Sequence, residues 1–338
     1  TNAAVKVVSA RDLWWSLIHT RAETGEPYIV NIDRCNESLP ATQKNMGLKV
    51  HQSNLCSEIT LATDEERTAV CCLSSVNLEY MDEWKQITSF IPDLVIMLDN
   101  IIQHFIDNAA IELPDPHFLM PNSLEEFRKY VKKEQEGFAK AAYSAFRERA
   151  LGLGAMGFHS YLQRNDIPYE SVYAASFNNR AFKYIKEAAF LASLDLGKKR
   201  GEAPDMRGTG LRNSHLLAIA PNASSSIICG GTSPSIEPSR ANVYTHKTLS
   251  GSFKVKNKYL EQLLESKNLN NEKTWRDISA AEGSVEGIEE LSEEEKAIFK
   301  TAPEINQMWV VDHAHQRQKY ICQSQSVNLF FVPPKSEE

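Results

Sequence analysis

Ten consecutive residues, Ala69-Val70-Cys71-Cys72-Leu73-Ser74-Ser75-Val76-Asn77-Leu78, form a near-continuous run of small and apolar side chains. A strand with one wet face alternates polar and apolar residues. A run like this one is covered on both faces, as in a parallel sheet enclosed by helices. The chain supplies such helices. Residues 10–23 carry Leu13, Trp14, Leu17 and Ile18 at helical spacing, and Thr24-Gly25-Glu26-Pro27 stops them. Residues 82–111 are periodic, with Pro92 marking a kink or break. Ser123 with Glu126 three residues on is a capping-box pattern, and 171–201 ends on Lys198, Lys199, Arg200 and Gly201, as a helix C-terminus prefers. The expected class is therefore α/β. Further strands are expected at 28–32, 215–220, within 243–253 and at 324–332, and the twenty residues after 32 read as an irregular loop. Gly152, Gly154 and Gly157 complete a GxGxxG pattern, but the flanks read as helical with no strand before them. They are assigned to helix packing rather than to a dinucleotide.

Composition narrows the function classes. A formal net charge of -7 over 338 residues argues against nonspecific nucleic-acid binding. The most apolar stretch, 94–106, is interrupted by Asp99, Asn100, Gln103 and His104, so it reads as a core helix and not a membrane span. Residues 254–299 are charge-rich and read as solvated helical faces. His313 and His315 are two apart on a helical pattern, which does not suit a metal. Cys35, Cys56, Cys71, Cys72, Cys229 and Cys322 are scattered rather than framed, which together with the lack of a signal peptide fits free thiols in a reducing, cytoplasmic setting. Cys35 reads as a spectator. Cys71 and Cys72 are adjacent on a strand and face opposite sides, so only one of them can share an interior with another site.

The chemistry concentrates in Ser53-Asn54-Leu55-Cys56-Ser57-Glu58-Ile59-Thr60. On a strand or loop tip, an amide, a thiol and a carboxylate spaced two apart project from one side; on a helix Cys56 would turn away from Asn54 and Glu58. A carboxylate two residues from a thiol opposes its ionisation, so Cys56 is built to stay a thiol. A thiol beside a base suits hydrogen-atom transfer, with Glu58 taking a hydroxyl proton and Asn54 holding the same substrate. Taken alone, Asn-x-Cys-x-Glu reads first as a half-buried cysteine in an ordinary strand with polar residues on its wet side. A second candidate lies at Ala220-Pro221-Asn222-Ala223-Ser224-Ser225-Ser226, where small hydroxyl residues after a strand can offer backbone N–H and side-chain donors to an anion.

These two segments, with the run 69–78, Thr232-Ser233-Pro234-Ser235-Ile236-Glu237-Pro238 and Gln323-Ser324-Gln325-Ser326-Val327-Asn328, stand in an order that resembles the large, catalytic subunit of ribonucleotide reductase, closest to the aerobic class I members. The resemblance spans nearly the whole chain. It implies the second half of a ten-stranded α/β barrel with a central finger loop at about 50–62, a phosphate-binding turn at 221–226 and many flanking helices, all in one partial catalytic domain over 1–338.

The implied reaction is radical reduction of ribonucleoside diphosphates to 2'-deoxyribonucleoside diphosphates. Cys56 would be the transient thiyl radical, Glu58 the base at the 3'-hydroxyl and Asn54 a hydrogen-bonding partner there. Cys71 would be one member of the redox pair, and Asn222, Ala223, Ser224 and Ser225 would hold the diphosphate. The resemblance implies no cofactor in this chain, a radical from a metal-containing small subunit, re-reduction by thioredoxin or glutaredoxin, and a homodimer of the full subunit. It also implies that the partner of Cys71, the first half barrel, the ATP cone with its ATP and dNTP effector sites, the radical-relay tyrosines and the reducing tail lie outside the chain. Thr1 and the terminal Pro333-Pro334 region read as cut ends, consistent with a fragment, a split gene product or a trimmed chain. Two other readings remain at this point: a noncatalytic half barrel that only assembles with its missing part, and a cobalamin-dependent reductase.

Overall fold

The computed structural model describes residues 7–109, 121–249 and 251–332. Its first third is α1 (Ala10–Thr24), α2 (Ile32–Ser38), α3 (Ala41–Asn45), β1 (Leu73–Asn77), α4 (Met81–Trp84) and α5 (Phe90–Ala109). Then come α6 (Leu124–Arg128), α7 (Ala139–Glu148), β2 (Gly152–Met156), α8 (Phe158–Arg164) and α9 (Val172–Arg200). The last part holds α10 (Ser225–Ile228), β3 (Val243–Thr248), β4 (Gly251–Lys256), α11 (Lys258–Ser266), α12 (Glu272–Ala280), α13 (Glu293–Ile298) and α14 (Gln307–Gln318).

Parallel pairing organises the centre. β1 pairs with β2 in parallel, from Leu73 opposite Gly152 to Asn77 opposite Met156. The row continues beyond them: Leu153 N donates to Leu216 O (2.8 Å) and Ala218 N to Leu153 O (3.3 Å), while Ile219 N donates to Ser324 O (3.1 Å) and Ser326 N to Ile219 O (2.9 Å). The stretches expected as strands at 215–220 and 324–332 thus enter this layer as single parallel bridges, at Leu217 and at Ile219 with Gln325, rather than as full strands. Helices α5, α7, α8 and α9 cover the outer face and share with it one core that includes Val76, Leu78, Leu98, Ile102, Leu153, Phe158, Phe182 and Leu217. The class is α/β, but the run 69–78 is strand only over Leu73–Asn77, where Val76 alone is fully buried, and Ala69 and Cys71 before it are exposed.

Several local expectations fare differently. The glycines at 152 and 154 lie in strand β2, not in a helix, and Gly157 caps α8. A Cβ on Gly154 would stand 2.6 Å from Ala218 O, and one on Gly152 2.3 Å from Leu73 Cδ2. The absent side chains make room for the neighbouring rows of the sheet. Residues 28–31 form no strand, and the supposed loop after 32 folds into α2 and α3; a strand needs a ladder partner and none meets this segment among the described residues. The segment 82–111 divides into α4 and α5. Pro92 falls in the first turn of α5, where its missing N–H costs nothing, and Ile111 lies outside the described residues.

The Ser123 cap forms but its capping box does not close, because the Glu126 carboxylate accepts from Asn122 N (2.8 Å) instead of from Ser123 N. Ser123 Oγ accepts from Glu126 N (3.2 Å) and Ser171 Oγ from Ala174 N (3.1 Å). β3 and β4 form an antiparallel hairpin within and just beyond the expected 243–253. The charge-rich 254–299 region is helical, and it also builds a second core from Leu260, Leu264, Trp275, Ile278, Leu291 and Phe299 with Val243.

Two buried ionic clusters tie α5 and α7 to the rest. Asp99 of α5 accepts from Arg149 Nε (2.7 Å) and Asn213 Nδ2 (3.3 Å) on one oxygen and from Arg200 NH1 (3.0 Å) on the other, with Arg212 Nε 3.4 Å away. Asp205 binds Arg67 NH1 (2.5 Å) and Arg147 Nε (2.8 Å). Beside Asp205, Glu148 is wholly enclosed and accepts from Gln43 Nε2 (3.2 Å). Burial first, then the Asp205 charge, push its carboxyl up to about 8. The folded chain therefore holds a proton here that the unfolded chain has released above the ordinary carboxylate range. This stabilisation is complete below pH about 4.5 and is lost as pH rises toward 8. Glu148→Gln, neutral throughout, should melt increasingly above the unsubstituted protein between pH 5 and 8.5; melting curves that run parallel across that range would contradict the assignment.

Candidate active site

The segment carrying Asn54, Cys56 and Glu58 is a loop tip closed by a tight turn, in which Ser57 N donates to Asn54 O (3.1 Å) and Ser57 takes a left-handed φ of 63°. Strand alternation therefore does not set the three side chains. The turn folds Asn54 back instead, so that its Oδ1 accepts from Ile59 N (3.2 Å). Leu55 stands at the summit, 93% exposed. The stem that follows is buried. Ile59 and Leu61 pack with Ala150, Ala218 and Leu73, and Thr60 N donates to Gln323 Oε1 (3.1 Å), whose Nε2 donates in turn to Leu151 O (2.9 Å). Ser324 N donates to Glu58 O (3.0 Å). The loop is thus seated on the parallel layer by its own backbone.

Glu58 is the buried member of the trio at 3% exposure, and its Oε2 has no hydrogen-bond partner among the described residues. A buried oxygen of this kind is costly unless something binds it. Cys56 is half-buried; burial, then the charges of Glu58 and Glu26, raise its pKa. Cys71 is exposed as a residue, and partial desolvation of its thiol, then Glu58 and Cys56, push it up to about 11. The two thiols and the carboxylate therefore sense one another, and both sulfurs stay protonated at neutral pH. Cys72 points the other way, buried with its Sγ 3.6 Å from Leu98 O against α5. Strand alternation predicts this division of faces.

The serine-rich turn follows the bridge at Ile219 and leads into α10. Asn222 adopts a left-handed φ of 55°. In the orientation that satisfies its amide, Nδ2 donates to Ala220 O (3.0 Å) and Ala155 O (3.2 Å), while Oδ1 accepts from Ser75 Oγ (3.1 Å). Ala223, Ser224 and Ser225 are exposed, and Ser226 is buried with its Oγ donating to Ala223 O (3.1 Å). Ser75 and Asn77 were not singled out from sequence. Counting in twos from Cys71 would have found them on its side of the strand, and Asn77 Nδ2 donates to Cys229 O (3.4 Å) just past α10.

The model of the ribonucleotide reductase barrel domain matches residues 1–209 and 204–338. The chain belongs to this family. It is 48% identical over 98% of its length to the ribonucleoside-diphosphate reductase large subunit of Invertebrate iridescent virus 3, of which it covers 49%, and 28% identical to that of Trypanosoma brucei brucei, of which it covers 42%. Its fold matches the class Id ribonucleotide reductase alpha subunit of Actinobacillus ureae with a TM-score of 0.79 at 41% identity, over 94% of this chain and 55% of that one. The chain spans about half the length of the curated relatives it matches. Within the barrel domain, the finger-like loop carrying Cys56, strand β1 two residues after Cys71 and the turn at 221–226 all sit on the parallel layer. Among the described residues no group of three His, Cys, Asp or Glu side chains is placed to hold a metal, and no helix is long and apolar enough to cross a membrane.

Proposed function

We propose that this barrel domain carries out the hydrogen-atom and proton transfers that convert a ribonucleoside diphosphate into its 2'-deoxy form, as part of a larger cytoplasmic enzyme. The observation that supports it best is the buried, unpaired Glu58 oxygen held within electrostatic reach of two protonated thiols. With Cys56 present as a thiyl radical, its sulfur takes the 3'-hydrogen and Glu58 accepts the 3'-hydroxyl proton. Cys71 then protonates the departing 2'-hydroxyl, which leaves as water. The second thiol, supplied outside this chain, gives its hydrogen atom to C2' and its sulfur joins that of Cys71 as a disulfide; the electron this pair releases and the proton held by Glu58 restore the 3'-hydroxyl as Cys56 returns its hydrogen to C3' and is again the thiyl radical. Asn54 holds the hydroxyl edge of the ribose, and the turn from Asn222 to Ser225 receives the diphosphate.

A small, metal-containing subunit supplies the radical, and thioredoxin or glutaredoxin restores the thiols. ATP and dNTP effectors bind the rest of the subunit, and the full subunit forms a homodimer. The test is reconstitution: the chain, its N-terminal complement, a radical-generating subunit and a dithiol reductant are combined with ribonucleoside diphosphate. Deoxyribonucleoside diphosphate is the expected product. Its absence would favour a half barrel that assembles without catalysing, and a requirement for added cobalamin would move the chain to the cobalamin-dependent class.

A further inference from the structure

We infer that Ser75 is a positioning residue that fixes the diphosphate turn against strand β1, which follows directly on the segment carrying the redox thiol. The inference deepens the reading above and rests on it. Cys71, Leu73, Ser75 and Asn77 alternate onto one side of the same extended segment, and the ladder already begins at Cys72, whose O accepts from Gly152 N (2.9 Å). Four residues along a strand span roughly 13 Å. The thiol thus stands just before the strand and Ser75 at its centre.

Ser75 Oγ meets the Asn222 side chain at 3.1 Å, and that amide also holds Ala220 O and Ala155 O. Asn222 itself is in the left-handed region at φ 55°, which few side chains other than asparagine and aspartate tolerate. The turn is therefore kept in an uncommon backbone conformation by a side chain with three partners, two of them on neighbouring strands. The sheet leaves space for this contact. Position 154, opposite Ser75 in the register, is glycine, and a Cβ there would lie 3.2 Å from Ser75 Oγ. Because the exposed Ala223, Ser224 and Ser225 follow Asn222 directly, its geometry sets where they present their donors. Ser75 acts on phosphate through Asn222 and touches no reacting atom.

The test uses the reconstituted protein with a ribonucleoside diphosphate and the matching unphosphorylated ribonucleoside as probes, binding measured by calorimetry and turnover by product formation. Ser75→Ala should weaken diphosphate binding and raise its KM by roughly three- to tenfold, the factor set by one net hydrogen bond. It should leave kcat within about twofold and nucleoside binding unchanged, since a contact made equally in ground and transition states moves KM and not kcat. Ser75→Thr, which keeps the hydroxyl, should restore the diphosphate affinity, and adding Ser75→Ala to Asn222→Ala should cost nothing more. Equal loss for nucleoside and diphosphate, or no rescue by threonine, would reduce Ser75 to a packing residue and overturn the inference. If the unsubstituted protein bound no diphosphate at all, the functional reading itself would fall and take this inference with it.

Discussion

Cys56→Ser is expected to leave no measurable deoxyribonucleotide formation in the reconstituted protein, a loss of roughly 10³-fold or more, the scale on which removal of a reacting group falls. The substitution changes one atom at a half-buried loop tip, and the backbone turn from Asn54 to Ser57 and the stem contacts of Ile59, Thr60 and Leu61 involve no sulfur. Melting temperature and diphosphate binding should therefore match the unsubstituted protein, which separates lost chemistry from lost structure. The reasoning rests on what the site does to sulfur. A nucleophilic cysteine is normally placed beside a cation or a helix N-terminus that stabilises its thiolate. Here burial and the Glu58 and Glu26 carboxylates oppose ionisation of Cys56, and Glu58 with Cys56 opposes that of Cys71. Thiols so held keep their proton at rest and are suited to giving up a hydrogen atom rather than an electron pair. Product at an undiminished rate from the serine variant would show that residue 56 is not the atom that takes the substrate hydrogen.

Asp99→Asn should cost about 3–5 kcal/mol of folding stability, the range for removing one partner of a buried charge pair. Asp99 is fully enclosed, and Arg149 and Arg212 beside it are 3% and 9% exposed. Burial pushes the Asp99 carboxyl up, but Arg149, then Arg212 and Arg200, outweigh it and hold it below the usual carboxylate range. Arg212 is itself drawn down to about 10, by burial first and by Arg149 second. Without the carboxylate three guanidinium groups face one another around α5, α9 and the segment leading to the central bridges.

Because the folded pKa of Asp99 is depressed, its contribution is present above the ordinary aspartate value and is lost as pH falls through the folded one. The gap between Asp99→Asn and the unsubstituted protein should accordingly shrink in strong acid. Arg200→Gln provides the control. Arg200 is 36% exposed, so solvent screens its pairing and its loss should cost about 1 kcal/mol or less. Urea unfolding curves that rank the two variants equally would refute the picture of Asp99 as the hub of the cluster.

Some of this architecture could be read directly from the chain. Helix α9 announces itself through Ser171, its length and its basic last turn, and the division of Cys71 from Cys72 follows from alternation alone. The protonated state of Cys56 follows from a carboxylate two residues away. Each of these depends on atoms a few residues apart, and local geometry repeats wherever such a pattern occurs. Other features left no local trace. A glycine reports only that something lies close, so Gly152 and Gly154 could serve a helix or a strand until Ala218 and Leu73 were seen beside them. The extended look of 28–32 meant little without a ladder partner, because a strand is completed by hydrogen bonds from elsewhere.

The candidate site divides in the same way. Sequence alone picked out the residues proposed to carry its chemistry: an amide, a thiol and a carboxylate on one loop, a second thiol two residues before β1, and a serine-rich turn. Only the tertiary structure decided how they meet, through Ser324 and Gln323 seating the loop and Ser75 reaching Asn222. The physical reason is that parallel neighbours are joined by long crossovers, so the contacts that assemble the site join residues whose closeness no local preference encodes.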